Sequence, residues 1–324
     1  NAAKHGIIVK GGSSLEKAGK ISIVAFDKTG TLTKGKPRVY KVRGFKKEAK
    51  EVLAIAASCE AYSEHPLAKA ITDKAAKDNI NTVKPVHFEV VVGQGVKAQF
   101  NNENYCVGSM KLIKNQGIDI LPEIEDYIIN EEKGGYTLVL VANSSEVLGA
   151  LSIRDEIKQE AVKVINHLKK FKIKTYMLTG DNQRVAAAVA KELGLDGYFA
   201  ELLPDDKLKI INDLKTHGNV AMVGDGVNDA PSLAGADMGI AVKGATDVTA
   251  ETADMMIMSD NIAKIAYAVR LSKTTLNNLR MNIGFSIFVV VALLLGVIRG
   301  DIFLASGRFF HEIREIIVVL NGLR

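Results

Sequence analysis

From Glu156 onward the sequence alternates helical stretches with short apolar runs, and this order constrains the fold more than any other feature. The runs are Thr175–Leu178, Tyr198–Ala200, Val220–Val223 and Met238–Ala241, each preceded by a segment of helical pattern. Helices alternating with apolar strands predict a parallel sheet with right-handed crossovers. The earlier run Ile21–Phe26 has the same character and is assigned to that sheet. Between them the pattern changes. Helical patterns cover Lys46–Cys59 and Leu67–Lys77, and strand-like runs follow near Val86–Val92, Val96–Phe100 and Tyr105–Val107. A polar helix near Leu121–Glu131 and strands Thr137–Ala142 and Val147–Ser152 close the region. The division expected is therefore a discontinuous core domain at 1–37 and 151–265, with a domain inserted after the first strand at 38–150 and a distinct tail at 266–324. Residues 1–20, basic and glycine-containing, read as a connector into the first strand.

The tail is apolar over Ile283–Ile298, between Arg280 and Arg299. That run is a little short for a membrane span, which needs about 20 apolar residues; helical residues before Arg280 could extend it, and a run this short also reads as a buried core helix. Arg270, Lys273 and Arg280 predict that its N-terminal side faces the cytosol. A second stretch, Ile302–Leu320, carries Arg308, His311, Glu312, Arg314 and Glu315, charges that in lipid must face a helix bundle or a cavity. The expectation is a multi-pass membrane protein with cytosolic catalytic domains and a lipid bilayer among its partners.

With 324 residues the chain is long enough for two domains or three. Its net charge is only +5 and no basic tract interleaves with aromatics, which excludes nucleic acid as a partner. The two cysteines, Cys59 and Cys106, form no CxxC pair and no disulfide framework. The sequence starts at Asn1 without a visible signal peptide and reads as a piece of a longer chain.

Four segments carry chemistry. Ile23-Val-Ala-Phe-Asp27 ends a strand in a carboxylate, followed by the turn Lys28-Thr29-Gly-Thr31-Leu-Thr33. Open α/β sheets build their sites at such strand ends, and a carboxylate there can attack phosphorus to give an aspartyl-phosphate. Thr179-Gly180-Asp181 places a hydroxyl at another strand end and opens a helix, whose N-terminus favours phosphate oxygens. Lys207 can neutralise charge on a transferred group. Val223-Gly224-Asp225 ends a third strand; Asp225 and Asp27 on adjacent strand ends could share one Mg2+, with Asp229 tuning that site or binding through water. Taken singly, each segment also reads as a turn, a helix cap or a solvated lysine. All four at strand ends, in this order, do not.

Asp27-Lys-Thr-Gly-Thr-Leu-Thr33, Thr179-Gly-Asp181 and Gly224-Asp-Gly-Val-Asn-Asp-Ala-Pro231 resemble the signature of P-type ATPases, ion pumps whose phosphorylation domain is haloacid dehalogenase-like. The fold this implies is α/β: a haloacid dehalogenase-like parallel-sheet phosphorylation domain, an inserted α+β nucleotide-binding domain and a C-terminal pair of membrane helices. It implies that ATP phosphorylates Asp27 next to Lys28, and that Mg2+ is held by Asp27, the Thr29 carbonyl and Asp225. Thr179 and Lys207 would contact the phosphoryl group, Asn228 and Asp229 would complete the network, and Arg154-Asp155 would form the hinge between domains. Ser63-Glu64-His65-Pro66 is similar to the nucleotide motif of the heavy-metal pumps; with Glu60, Gly93, Gly95 and Gly108 it implies the adenine site. Ser109 stands where many relatives have asparagine. His311-Glu312 resembles a His-Glu pair of the last helix in the group linked to cobalt and related ions, although the following Ile313-Arg-Glu315 departs from that pattern.

The sequence contains no Thr-Gly-Glu loop, which in such pumps belongs to an actuator domain, and no Cys-Pro-Cys or Ser-Pro-Cys motif for the transported metal. Both would lie upstream, so the partners expected are ATP, a heavy-metal cation, the missing actuator domain and the upstream membrane helices. The expectation is the ATP-binding and phosphorylation half of a pump, slow in turnover by itself. A soluble phosphatase of the same superfamily would carry a second Asp two residues after the nucleophile, where this chain has Thr29. A nucleotide-sensing module would not need Asp27, Thr179, Lys207 and Asp225 together.

Overall fold

The computed structural model describes residues 6–225, 229–242, 252–259, 261–299 and 304–322, with the backbone alone for 304–311 and 322. The chain enters through β1 (Ile7–Val9), α1 (Gly11–Lys20) and β2 (Ile23–Asp27). A second unit follows: β3 (Thr33–Gly44), α2 (Ala49–Cys59), α3 (Pro66–Lys77), β4 (His87–Val91), β5 (Gly95–Phe100), β6 (Glu103–Gly108), α4 (Met110–Asn115), α5 (Pro122–Lys133), β7 (Thr137–Asn143) and β8 (Val147–Ile157). The first unit resumes with α6 (Gln159–Lys170), β9 (Lys174–Leu178), α7 (Gln183–Leu193), β10 (Gly197–Phe199), α8 (Pro204–Lys215), β11 (Val220–Gly224), α9 (Ala230–Gly235), β12 (Met238–Ala241) and β13 (Met255–Ile257). Two helices end the chain, α10 (Ala263–Arg299) and α11 (Leu304–Gly322).

The core sheet has seven strands in the order β1-β13-β12-β11-β2-β9-β10. All neighbours are parallel except β1 on β13. Central strands β2 and β11 are buried along their whole length, which is why they read as unbroken apolar runs. The inserted unit is a six-stranded antiparallel sheet, β3-β8-β7-β6-β5-β4. Its two faces hold separate cores: α2 and α3 cover Val96, Val107, Val139 and Leu151 on one side, α4 and α5 cover Cys106, Leu138, Leu140 and Ala150 on the other. Cys59 and Cys106 are free and buried.

Five elements differ from the sequence expectation, among them the short strand β13. Residues 1–20 are not a plain connector: β1 adds an edge strand and α1 packs on α10, burying Ser14 and Ala18. Gly11-Gly-Ser-Ser is a poor helix start, and tertiary packing overrides that propensity. The strand β3 was hidden by Gly35 and Pro37; proline is tolerated because β3 is the sheet edge, and its pairing with β8 is irregular between Thr33 and Pro37. The short helix α4 gives too little periodicity to read, although Ser109 caps it by accepting from Leu112 N.

The first turns of α10 bury Ile265, Ala268 and Val269 against the core. Beyond them the helix stands clear, with Phe288 69% and Ile298 80% exposed. An 18-residue window of α10 has a mean hydropathy of 2.5 and none of it is buried, so this helix is long and apolar enough to cross a membrane. Among the described residues it is the one helix that meets this measure. Asn282 of α10 and Asn321 of α11 join the two helices by a 2.6 Å side-chain hydrogen bond.

Candidate active site

Register on the core sheet places the four predicted segments together. Phe26 lies beside Val223 on one side, and Asp27 beside Leu178 on the other. The residues that follow, Asp225 and Thr179, therefore flank Asp27 at the carboxyl edge of three adjacent strands. Asp27 is 6% exposed. Lys207 reaches in from the first turn of α8; its Nζ donates to Asp27 Oδ1 at 2.5 Å and to Asp229 Oδ1 at 2.7 Å. Asp229 is 1% exposed and precedes α9. In this structure it is thus the second anchor of Lys207.

The turn after Asp27 is pinned from several sides. Gly30 has φ +73°, and a Cβ there would stand 2.9 Å from Asp225 Oδ2, so glycine satisfies both the backbone and the close approach of that carboxylate. Lys158 Nζ donates to Gly30 O at 2.6 Å. Thr33 Oγ1 donates to Lys28 O and to Asp155 Oδ2, while Asp155 also accepts from the Gly35 and Lys36 amides. Asp155 thereby joins β8 to the start of β3. Lys28 Nζ lies 2.5 Å from Asp181 Oδ2, an oxygen that also accepts from Thr179 Oγ1 at 2.7 Å. Thr31 Oγ1 is buried and has no hydrogen-bond partner among the described residues. Gly180 follows Thr179 in the turn, and Asn182 caps α7. Asn228 lies outside the described residues, as does the side chain of His311.

Electrostatics follow from this crowding. Burial first, then Asp229 and Asp225, push the Asp27 carboxyl up to about 7. The Lys207 contact works the other way and is outweighed, because one ammonium is shared between two carboxylates. Burial works to lower the Lys207 amine, but Asp27 and Asp229 together hold it above its ordinary value.

Glu60 and His65 of the second motif stand at the ends of α2 and α3, whereas a Cβ on Gly95 or Gly108 would meet Leu112 of α4 on the opposite face of the sheet. His65 caps α3: its Nδ1 accepts from Leu67 N at 3.2 Å, which leaves Nε2 to carry the proton. Burial lowers its pKa, so the ring is neutral. Pro66 takes the first helical position, where its missing N–H costs nothing. Glu60 ends α2, 7% exposed, and burial pushes its carboxyl up to about 7 against the opposing hydrogen bond from Ser63. Gly95 and Gly108 face each other across β5 and β6: a Cβ on Gly95 would lie 2.2 Å from Val107 O, and one on Gly108 2.1 Å from Gln94 O. Their lack of side chain is thus required by strand packing alone. Gly93 has φ +70° with open space around it.

Sequence reasoning missed Lys158, a lone lysine after β8 with no local pattern to mark it. It also missed Tyr62 and Phe88, whose rings meet edge-to-face at a centroid distance of 5.9 Å.

A description of haloacid dehalogenase-like hydrolases matches residues 21–237. The chain is also 30% identical to a solved catalytic CPx-ATPase domain, CopB-B, of which it covers 96%, with a TM-score of 0.63 over 82% of this chain. This chain belongs to the P-type ATPases. Over its whole length it is 42% identical to a probable cadmium-transporting ATPase of Staphylococcus aureus (strain MRSA252). A crystal structure of a zinc-transporting PIB-type ATPase in the E2.Pi state superposes on all of it, with a TM-score of 0.77 and 36% identity, and is covered to 53%. The chain spans 46% of the length of the staphylococcal relative. The row Asp225-Asp27-Thr179 lies at the carboxyl edge of the sheet within the haloacid dehalogenase-like match. The soluble phosphatase reading is set aside by this membership.

Proposed function

We propose that this chain binds MgATP and accepts the γ-phosphoryl group on Asp27, as the catalytic part of a pump for heavy-metal cations. The observation that carries this reading is Lys207 bridging Asp27 and Asp229 beside Thr179 and Asp225. Asp27 Oδ attacks phosphorus in line, the bond to the bridging oxygen breaks, and ADP leaves. Lys207 balances charge on the transferred group, and Thr179 with the Gly180 amide receives its outer oxygens. Asp181, held by Lys28, keeps Thr179 oriented.

The residues present fit Mg2+. Burial first, then Asp229 and Asp225, raise Asp27, and a hard dication relieves the excess of negative charge in this cluster. Among the described residues no three His, Cys, Asp or Glu side chains form a ready-made cage. Mg2+ keeps several waters and takes phosphate oxygens as ligands. Asp27, Asp225 and the Thr29 carbonyl would hold it, with Asp229 acting through Lys207. When bound it supplies charge neutralisation at the phosphoryl oxygens.

In this reading His65, Glu60 and Gly93 take the adenine end of ATP, and Gly95 and Gly108 shape that pocket. The sheets stand on the cytosolic side of the bilayer that α10 enters, and the metal path lies mainly in membrane segments upstream, with His311 and Glu312 on α11 as further candidates. Acid-quenched incubation with Mg2+ and γ-labelled ATP tests the reading: hydroxylamine-sensitive label on the protein supports it, and ATP binding with no label in the presence of Mg2+ defeats it. Replacing His65 by Asn keeps a good helix cap and removes the ring. The expected result is about tenfold weaker binding of a non-hydrolysable ATP analogue, the worth of roughly one lost hydrogen bond or stacking contact. Calorimetry showing equal affinity would remove His65 from the site.

A further inference from the structure

Glu132, near the end of α5, is 6% exposed, yet the phosphoryl-transfer site makes no use of it. A carboxylate leaves water at a large cost unless it is paired and hydrogen-bonded. Its partners stand on the other unit of the chain. Glu132 Oε1 accepts from Asn182 Nδ2 at 2.7 Å, and its second oxygen accepts from Arg184 Nε. Asn182 Oδ1 in turn accepts from Val185 N at 3.0 Å and caps α7. The residue before Asn182 is Asp181, whose carboxylate is gripped by Lys28 and Thr179. A side chain of the inserted sheet thus ends one residue from the turn proposed to receive phosphate.

The surrounding contacts make this a fitted joint. Gly135 lies against Ala188 and Val189 of α7 and against Arg154, all within 3.8 Å of where its Cβ would be. Arg154 donates to Gly134 O and pairs with Glu192 of α7. α5 covers the face of the inserted sheet opposite α2 and α3, which carry Glu60 and His65. The joint therefore grips the inserted unit on the side away from Glu60 and His65.

We propose that Glu132 is a positioning residue: through Asn182 and Arg184 it sets the register of the inserted unit on α7, so that bound nucleotide is presented in line to Asp27. This rests on the phosphoryl-transfer reading above. The Asn182 cap is local to α7, so it survives the loss of Glu132; what is lost is the tie between units. Buried ion pairs serve such registry better than they serve stability.

The test compares wild type, Glu132→Gln and Arg184→Gln in the 324-residue chain. Three quantities are read: affinity for a non-hydrolysable ATP analogue, the single-turnover rate of Asp27 labelling at saturating ATP, and the melting temperature. Both variants are expected to label about tenfold more slowly, a typical size for coupling between sites, with unchanged affinity. The double variant should be no slower than either single one. Arg184 is nearly half exposed, so its replacement keeps the experiment valid if Glu132→Gln folds poorly. Unchanged labelling rates overturn the proposal, and so does a slower rate that tracks a lowered melting temperature or a weakened affinity. A wild-type chain that takes no label while still binding the analogue fails the phosphoryl-transfer reading instead.

Discussion

Asp27→Asn removes covalent labelling by ATP altogether while leaving nucleotide binding intact and making the protein more resistant to unfolding above neutral pH. The first effect is chemical: an amide oxygen is too poor a nucleophile to hold a phosphoryl group, so label falls below detection. The second follows from geometry, since His65 and Glu60 sit on the inserted sheet and not at the β2 edge. The third follows from the raised Asp27 carboxyl. A carboxyl whose folded pKa lies above its unfolded value destabilises the fold as pH climbs from the unfolded value through the folded one. The wild type therefore carries this penalty in full above about pH 7 and sheds it near pH 4. Asparagine carries none at any pH, and its Oδ1 still accepts from Lys207. Denaturant melts at pH 5 and pH 8 should show the variant's advantage growing with pH. An advantage that shrinks with pH, or label that persists in the variant, would place the nucleophile elsewhere.

Lys207→Met acts in the opposite sense on stability and in the same sense on rate. Methionine fills the space but leaves Asp27 and Asp229 facing each other, buried, without a donor. Breaking a buried pair from one side costs about 3–5 kcal/mol. That loss is fully present at pH 8 and is relieved as acid protonates Asp27, so the variant should recover toward wild type near pH 5. Labelling from ATP should slow by roughly 100- to 1000-fold, the usual cost of removing one charge-stabilising donor from a phosphoryl or acyl transfer site. Rapid-quench labelling and melts at two pH values read both effects. A variant as stable as wild type at pH 8 would mean that the Asp27–Lys207–Asp229 cluster is not formed in solution.

Much of this site was legible because strand ends concentrate chemistry into short motifs. Asp27, Thr179 and Asp225 each follow an apolar run, and parallel register alone brings them side by side. Lys207 was legible only in company with the three strand-end motifs, since nothing local separates it from the other lysines on helix surfaces. Lys158 and Glu132 stayed hidden for the same reason: each acts through a partner far away in sequence, Gly30 and Asn182, and one-dimensional pattern carries no such pairing. The glycines of the nucleotide motif show the converse limit. Their presence at positions 95 and 108 suggested close approach to a base, yet the backbone of the facing strand already demands it. Residues 1–20 were misread because β1 and α1 owe their order to β13 and α10, not to their own composition.

That last pairing sets an order of assembly. Every strand of the inserted sheet is paired within Thr33–Ile157, so this unit can complete itself as soon as it leaves the ribosome. The core sheet cannot: Ile7 waits for Ile257, almost the whole described chain later. Contacts this distant are slow to form and leave strand edges uncovered in the interim. The strand that ends the wait, β13, shortly precedes α10, so the core sheet closes only as the long apolar helix is being made. Synthesis thus delivers the inserted unit complete while the sheet that carries it is still open at one edge.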